Sequence, residues 1–212
     1  MKSRINNQNI FALIIGIAVV IIMVYTMLGV TTVSDEQYIT QVEKDRKEKN
    51  AMFKNGSESP LEEQHKAQFQ ALSYFDVDTK LRVLADFKPI QPREYLFIEI
   101  TDGSQRKYEK SGYAQFEIEG EMQRLLVLKS TDTEEKHLFI PFYDETSALS
   151  TYGGGRYVEP QLLSNGKIEI DFNMAYNPYC AYNHTFRCPI PPKENKITVK
   201  INAGEKKFDF PD

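Results

Sequence analysis

The stretch Leu81-Arg-Val-Leu-Ala-Asp-Phe87 decides the architecture, because Leu81, Val83, Ala85 and Phe87 recur at every second position. A period of two puts one row of side chains on one face of an extended chain, so the segment reads as a strand with one buried face. Leu96, Ile98 and Ile100 repeat the pattern before an Asp102-Gly103 turn, and Ala114, Phe116 and Ile118 repeat it again. Gly120 marks a tight turn into the strand Met122 to Leu128. Leu138 to Phe142 adds another strand, whose Pro141 points to an edge or a bulge. After the Asn165-Gly166 turn, Ile168, Ile170 and Phe172 alternate with Glu169, Asp171 and Asn173, and Ile197, Val199 and Ile201 close the series. Short strands joined by turns, with no helical pattern between them, predict a mainly β domain: an antiparallel β-sandwich or barrel-like fold.

Upstream of Leu81 the pattern is helical. Ser34 and Gln37 have the spacing of a capping box, which opens a helix. Within it Glu43 and Lys47, and Asp45 and Lys49, are acid-first pairs four residues apart, as on a solvated face. Residues 31–57 thus read as a charged helical neck, ended at Asn55-Gly56-Ser57. Ser59-Pro60 with Glu62 signals a second, short helix running to about Gln70. Leu61, His65, Phe69 and Leu72 fall near one face of it, so His65 is assigned to packing.

Residues Ile10 to Val30 carry no charge, and a helix of that length is roughly 31 Å long, the thickness of a hydrocarbon core. The run is read as an uncleaved transmembrane anchor, since no small-x-small cleavage site follows it. Lys2 and Arg4 precede it, and Asp35 and Glu36 are the first charges after it. The positive-inside rule then puts residues 1–9 in the cytoplasm and the β-rich residues 58–212 outside, in a single-pass protein of the cell membrane. A formal net charge of -4 with no long Lys/Arg run argues against nucleic acid as a partner. No cofactor is implied.

The segment from Asp144 to Pro192 concentrates the residues that carry chemistry. Tyr152-Gly-Gly-Gly-Arg-Tyr157 lacks the Lys-Ser/Thr that follows a nucleotide-binding loop, and a tight turn is the simpler role for Gly153 and Gly154. Arg156 is suited either to a ligand carboxylate or to an internal pair with Asp144 or Asp171. Asp171 and Asn173 share a strand face, and Tyr176, Asn177 and Tyr182 follow at the strand end, a common place for a pocket. Cys180 and Cys188 would close a loop of about nine residues, worth roughly 2.5 kcal/mol as a disulfide. The same residues also allow a nucleophile at Cys180. Cys180, His184 and Cys188 as metal ligands would lack a fourth partner, so no metal site is expected.

The motifs Asp144-Glu-Thr-Ser147, Thr151-Tyr-Gly-Gly-Gly-Arg-Tyr157, Asp171-Phe-Asn173, Ala175-Tyr-Asn-Pro178, Cys180-Ala-Tyr182, Cys188-Pro189, Pro191-Pro192, Glu194-Asn195 and Ala203-Gly-Glu-Lys206 occur in that order. With Ser59-Pro60-Leu61 and Ser73-Tyr-Phe-Asp-Val77 upstream, the chain resembles the bacterial family catalogued as domain of unknown function 1684. The resemblance implies a β-rich domain and no established activity, and His184 lies outside its motifs. The residues themselves suggest a binding or interaction module in which Arg156, Asp171, Asn173, Tyr176, Asn177 and Tyr182 line a polar pocket for a small-molecule or protein ligand, with Arg156 as anion anchor. The alternatives are a hydrolytic enzyme with Asp171 or Glu205 as general base, and a purely structural domain.

Overall fold

The protein is described here by a computed structural model covering residues 16–19, 34–131 and 137–210. The expected anchor at residues 10–30 lies outside the described residues except for 16–19, which are helical, and the expected cytoplasmic residues 1–9 lie outside them entirely. Among the described residues no helix is long and apolar enough to cross a membrane. The chain divides into two units, Met1–Tyr38 and Ile39–Asp212. Helix α1, Asp35–Asn55, begins in the first and continues into the second. Its start is the capping box expected: the Ser34 amide donates to Gln37 Oε1, and the Gln37 amide donates to Ser34 Oγ.

The second unit is built on one antiparallel sheet of seven strands among the described residues: β1 Arg82–Glu99, β2 Gln105–Ile118, β3 Glu121–Ser130, β4 Leu138–Phe142, β5 Arg156–Val158, β6 Gln161–Leu162 and β7 Lys167–Asp171. Their spatial order is β5-β4-β3-β2-β1-β7-β6. The mainly β, antiparallel expectation holds, but the sheet is a single curled half-barrel rather than two stacked layers. The segments around Leu81–Phe87 and Leu96–Ile100, read as separate strands, belong largely to one 18-residue strand whose pairing with β2 shifts between Pro89 and Glu94.

Alternation fills the concave face as expected. Ala85, Ala114, Phe116, Leu125, Val127, Ile168 and Ile170 meet in one cluster that also takes in Phe142, Phe172 and the C-terminal Ile197, Val199 and Ile201. In β3 the residues Leu125 to Leu128 are all buried, because Leu126 and Leu128 join Ile98 and Tyr108 in a separate cluster. A strand covered on both sides loses the polar half of its alternation.

Two irregularities replace ladder hydrogen bonds with side chains. Residues 197–201 were expected to form a strand and do not. Their backbone bonds to the segment after β4, the Ile197 amide donating to the Tyr143 carbonyl and the Val199 carbonyl accepting from the Glu145 amide, and from Ile201 onward to a buried ion pair: Asp144 Oδ2 accepts from the Ile201 amide at 2.7 Å, and Arg156 donates to the carbonyls of Ile201, Ala203 and Glu205. Pro141 does not lie on an outer strand, since β4 pairs with β3 through Leu138 and Phe139 and with β5 through Ile140 to Phe142. Beyond Phe139 the β3–β4 ladder is continued by the side chain of Asn195, which accepts from the Leu126 amide and donates to the carbonyls of Leu126 and Pro141.

The helices also depart from expectation. The second one, α2, is Glu63–Gln68, later than Ser59 suggested and without a side-chain cap. The Ser59 hydroxyl is used to close α1, donating to the carbonyl of Phe53. His65 packs as assigned, its ring 5.0 Å from that of Phe210. The neck is not a solvated spacer throughout: Val42, Arg46 and Phe53 are buried, and Phe53 packs edge-on against Tyr182 at 4.8 Å. Lys49 pairs with Glu205 instead of Asp45, and Glu43 pairs with Arg46.

Candidate ligand cavity

Burying Arg46 on the inner face of α1 requires partners for its guanidinium, and the chain supplies them from three directions. Nη1 donates to the carbonyl of Phe75 at 3.0 Å and to Glu43 at 3.2 Å, and Nη2 reaches the carbonyl of Asn173 at 3.4 Å. The guanidinium lies 4.6 Å from the centre of the Tyr74 ring, a cation–π arrangement. Arg46 thereby ties the helix to the segment after α2 and to the turn after β7.

One turn further on, Lys49 reaches Glu205, which is 1 % exposed. Glu205 Oε1 lies 2.5 Å from Lys49 Nζ, while Oε2 accepts from the Asn177 amide at 2.8 Å and from the Tyr182 hydroxyl at 2.5 Å. Lys49 Nζ also sits 4.8 Å from the centre of the Tyr176 ring. A buried carboxylate is tolerable only when paired and hydrogen-bonded, and here it is both.

Between these groups lies a cavity of about 360 Å³, walled by Arg46, Lys49, Tyr74, Asn173, Tyr176 and Glu205, with Asp45, Glu159, Met174 and Ala175 at its margins. Two of its lining residues carry a buried donor that makes no hydrogen bond among the described residues, Arg46 Nε and the Tyr74 hydroxyl, and beside them Glu205 Oε1 is held by the Lys49 ammonium. The Tyr74 hydroxyl lies close enough to the Glu205 carboxylate to feel its charge. Burial, followed by the charge of Glu205, holds the Tyr74 phenol far above its ordinary range, so it stays a neutral donor. Burial and then Glu159 do the same to Tyr176, whose hydroxyl donates to Glu159 Oε1 at 3.0 Å.

Of the residues read from the sequence as site candidates, the structure brings Asn173, Tyr176 and Glu205 to this cavity. Asn177 and Tyr182 stand behind it and hold the Glu205 carboxylate. Arg156 is elsewhere, 1 % exposed in the core and 3.5 Å from Asp144, which is the internal pairing considered for it. Burial lowers its pKa, Asp144 opposing part of that, and its Nη donors go to backbone carbonyls. Asp171 does not line the cavity: its Oδ1 accepts from the backbone and side-chain nitrogens of Asn173, capping a 3-10 turn over Phe172–Met174. That turn rotates Asn173 off the strand face it would have shared with Asp171 and buries it.

The cavity residues that sequence reasoning passed over are Arg46, Lys49 and Tyr74. A signal was present, since Val42, Arg46, Lys49 and Phe53 form one stripe along α1 at spacings of a single helix face. Charge on that stripe was taken for solvation.

Cys180 and Cys188 are free and buried, and the Cys180 amide donates to Cys188 Sγ at 3.2 Å. The Cys180 thiol donates to Cys188, and that hydrogen bond together with burial keeps its own pKa far above the ordinary thiol value. The same hydrogen bond, aided by the amides of Cys180 and Tyr179, pulls Cys188 down to about 7. Among the described residues no cluster of His, Cys, Asp and Glu is arranged to hold a metal ion.

The glycine run has a local explanation. Gly155 alone of the three has a positive φ, of 85°, and a Cβ there would strike the Phe142 carbonyl. Gly154 lies under the Tyr152 ring, where a Cβ would overlap Cε1.

Residues 67–206 match the model of a family described as protein of unknown function, DUF1684. The solution structure of an uncharacterised protein of Haloarcula marismortui is similar at 36% sequence identity and a TM-score of 0.63, over 81% of this chain and 95% of that one. No curated protein matches the chain.

Proposed function

The chain belongs to the DUF1684 family, and from the cavity between its α1 helix and its β-sheet domain we propose that it is a small-ligand-binding module. The observation that carries this reading is that one cavity gathers the Lys49–Glu205 ion pair with two buried donors that make no hydrogen bond among the described residues, Arg46 Nε and the Tyr74 hydroxyl. Leaving such groups unbonded costs about 1–3 kcal/mol each, a cost that a bound polar molecule offsets. Both are donors, and the Glu205 carboxylate beside them is an acceptor. The complementary ligand is a small molecule that presents a carboxylate or carboxamide oxygen to Arg46 and Tyr74 and an N–H or O–H to Glu205. The aromatic faces of Tyr74 and Tyr176 suit its apolar part.

The test is Tyr74→Phe in the full chain, titrated by ligand-observed NMR with a panel of amino acids and primary amides. Removing a hydroxyl that bonds nothing leaves the melting temperature unchanged or raises it. Losing a ligand contact weakens binding by about tenfold. If no compound in the panel binds wild type, or if Tyr74→Phe binds as well as wild type, the reading fails.

The uncharged run at residues 10–30 supports holding this module at the outer face of a cell membrane. A C-terminal reporter that is active only in the cytoplasm would reject that placement by being active.

A further inference from the structure

A second cavity of about 400 Å³ lies away from the first and shares no lining residue with it. Its walls include Thr101, Asp102, Tyr152, Cys180, His184 and Arg187. The loop that forms one side is strapped to the turn after β1: the Cys188 amide donates to Thr101 Oγ1 at 3.1 Å, and the Thr101 amide donates to the Cys188 carbonyl at 3.0 Å. The strap sets Cys188 Sγ against the amide of Cys180 in the 3-10 turn Tyr179–Ala181. Cys180 lines the cavity, and Cys188 does not. The Tyr152 ring lines the same cavity, and its hydroxyl is near enough to the Cys180 sulfur to favour the thiolate. Gly154 makes that possible, because any side chain there would displace the Tyr152 ring.

We propose that Cys180 and Cys188 form a thiol–disulfide exchange site whose substrate is a small dialkyl disulfide admitted by this cavity, with Cys180 attacking and Cys188 resolving. The resting state is a Cys180 thiol hydrogen-bonded to a Cys188 thiolate. Cys180 attacks one sulfur of the external disulfide and passes its proton to Cys188, and one small thiolate leaves. Tyr152 stabilises the charge that builds on the Cys180 sulfur during this step. Cys188 then attacks the Cys180 sulfur of the mixed disulfide and gives up the proton to the second departing thiolate. In sum, one thiol, one thiolate and one external disulfide become an internal Cys180–Cys188 disulfide, one small thiol and one small thiolate. The protein pair loses two electrons and the external disulfide gains them. The order of attack follows from position: Cys180 lines the cavity and Cys188 does not.

Oxidised glutathione is the probe. The full-length folded protein is incubated with it, quenched with N-ethylmaleimide and weighed by mass spectrometry. Wild type should lose both maleimide adducts together and retain no glutathione. Cys188→Ser should trap one glutathione on Cys180, and Tyr152→Phe should slow the wild-type reaction by about tenfold, the worth of one hydrogen bond to a charged sulfur. If Cys188→Ser does not fold, acid quenching of wild type at early times followed by peptide mapping locates the same mixed disulfide. The proposal is overturned if the thiols react only after denaturation, if each sulfur keeps its own glutathione, or if the first mixed disulfide maps to Cys188.

Discussion

Replacing Asn195 by alanine tests whether a side chain is acting as a strand. Asn195 is fully buried, and its carboxamide accepts from the Leu126 amide at 2.7 Å and donates to the carbonyls of Leu126 and Pro141 at 2.9 and 2.8 Å. In Asn195→Ala the Leu126 amide, in the middle of a strand buried on both faces, has no acceptor, which costs about 1–3 kcal/mol. The two carbonyls each lose a donor, at about 0.5–1.5 kcal/mol apiece. The sum is about 4 kcal/mol, equivalent to a melting temperature lower by about 12 °C in a domain of this size. Urea unfolding followed by circular dichroism reads this directly, with the midpoint falling while the denaturant slope is unchanged. Asn195→Asp keeps the acceptor, loses the donor and adds a charge that faces two carbonyls, so it should be at least as harmful. A loss below about 1 kcal/mol in Asn195→Ala would refute the substitution of ladder bonds by this side chain.

Arg156→Met should destabilise by about 3–5 kcal/mol, because it leaves the Asp144 carboxylate buried without its cation, and adding Asp144→Asn should recover part of the loss. Strictly additive effects in that double-mutant cycle would show that the pair does not act as a unit. Thiolate absorbance in folded protein should titrate with a midpoint near pH 7 and vanish in Cys188→Ser. Because the Cys188 pKa is lowered on folding, its contribution to stability is complete above the ordinary thiol value of 9.0 and is lost as the pH falls through about 7. Wild type should therefore gain stability between pH 7 and 9 relative to Cys188→Ser, measured as the shift in urea midpoint.

Much of the sheet was legible because alternation is a local signal. Ala114, Phe116 and Ile118 face the core for the reason their spacing suggests, and so do Ile168 and Ile170. Residues 197–201 show where that signal misleads. Their alternation reports one buried face, and their backbone is divided among the Tyr143 and Glu145 main chain, the Gln123 side chain and, at Ile201, a guanidinium and a carboxylate contributed from far along the chain. Side-chain periodicity reports burial and is silent on what the amides bond to. Arg156 shows the same limit from the other side, since an arginine beside flexible backbone satisfies carbonyls as well as it would an anion.

The candidate site was half legible, and the missing half follows from a single ambiguity. A charged residue on a helix stripe is consistent with solvent and with a buried cavity wall, and the two differ only in what the rest of the chain folds over it. For Arg46 and Lys49 that cover comes from Tyr74, Asn173, Tyr176 and Glu205, more than twenty residues away and mostly beyond one hundred. The helix from Asp35 to Asn55 therefore supplies one wall of the cavity. Any tether attached through it would load the element that carries Arg46 and Lys49. A chain whose α1 stripe is disrupted at Arg46 should then lose both the packing of that helix and the affinity of the cavity, whereas removing residues 1–30 should leave the affinity intact.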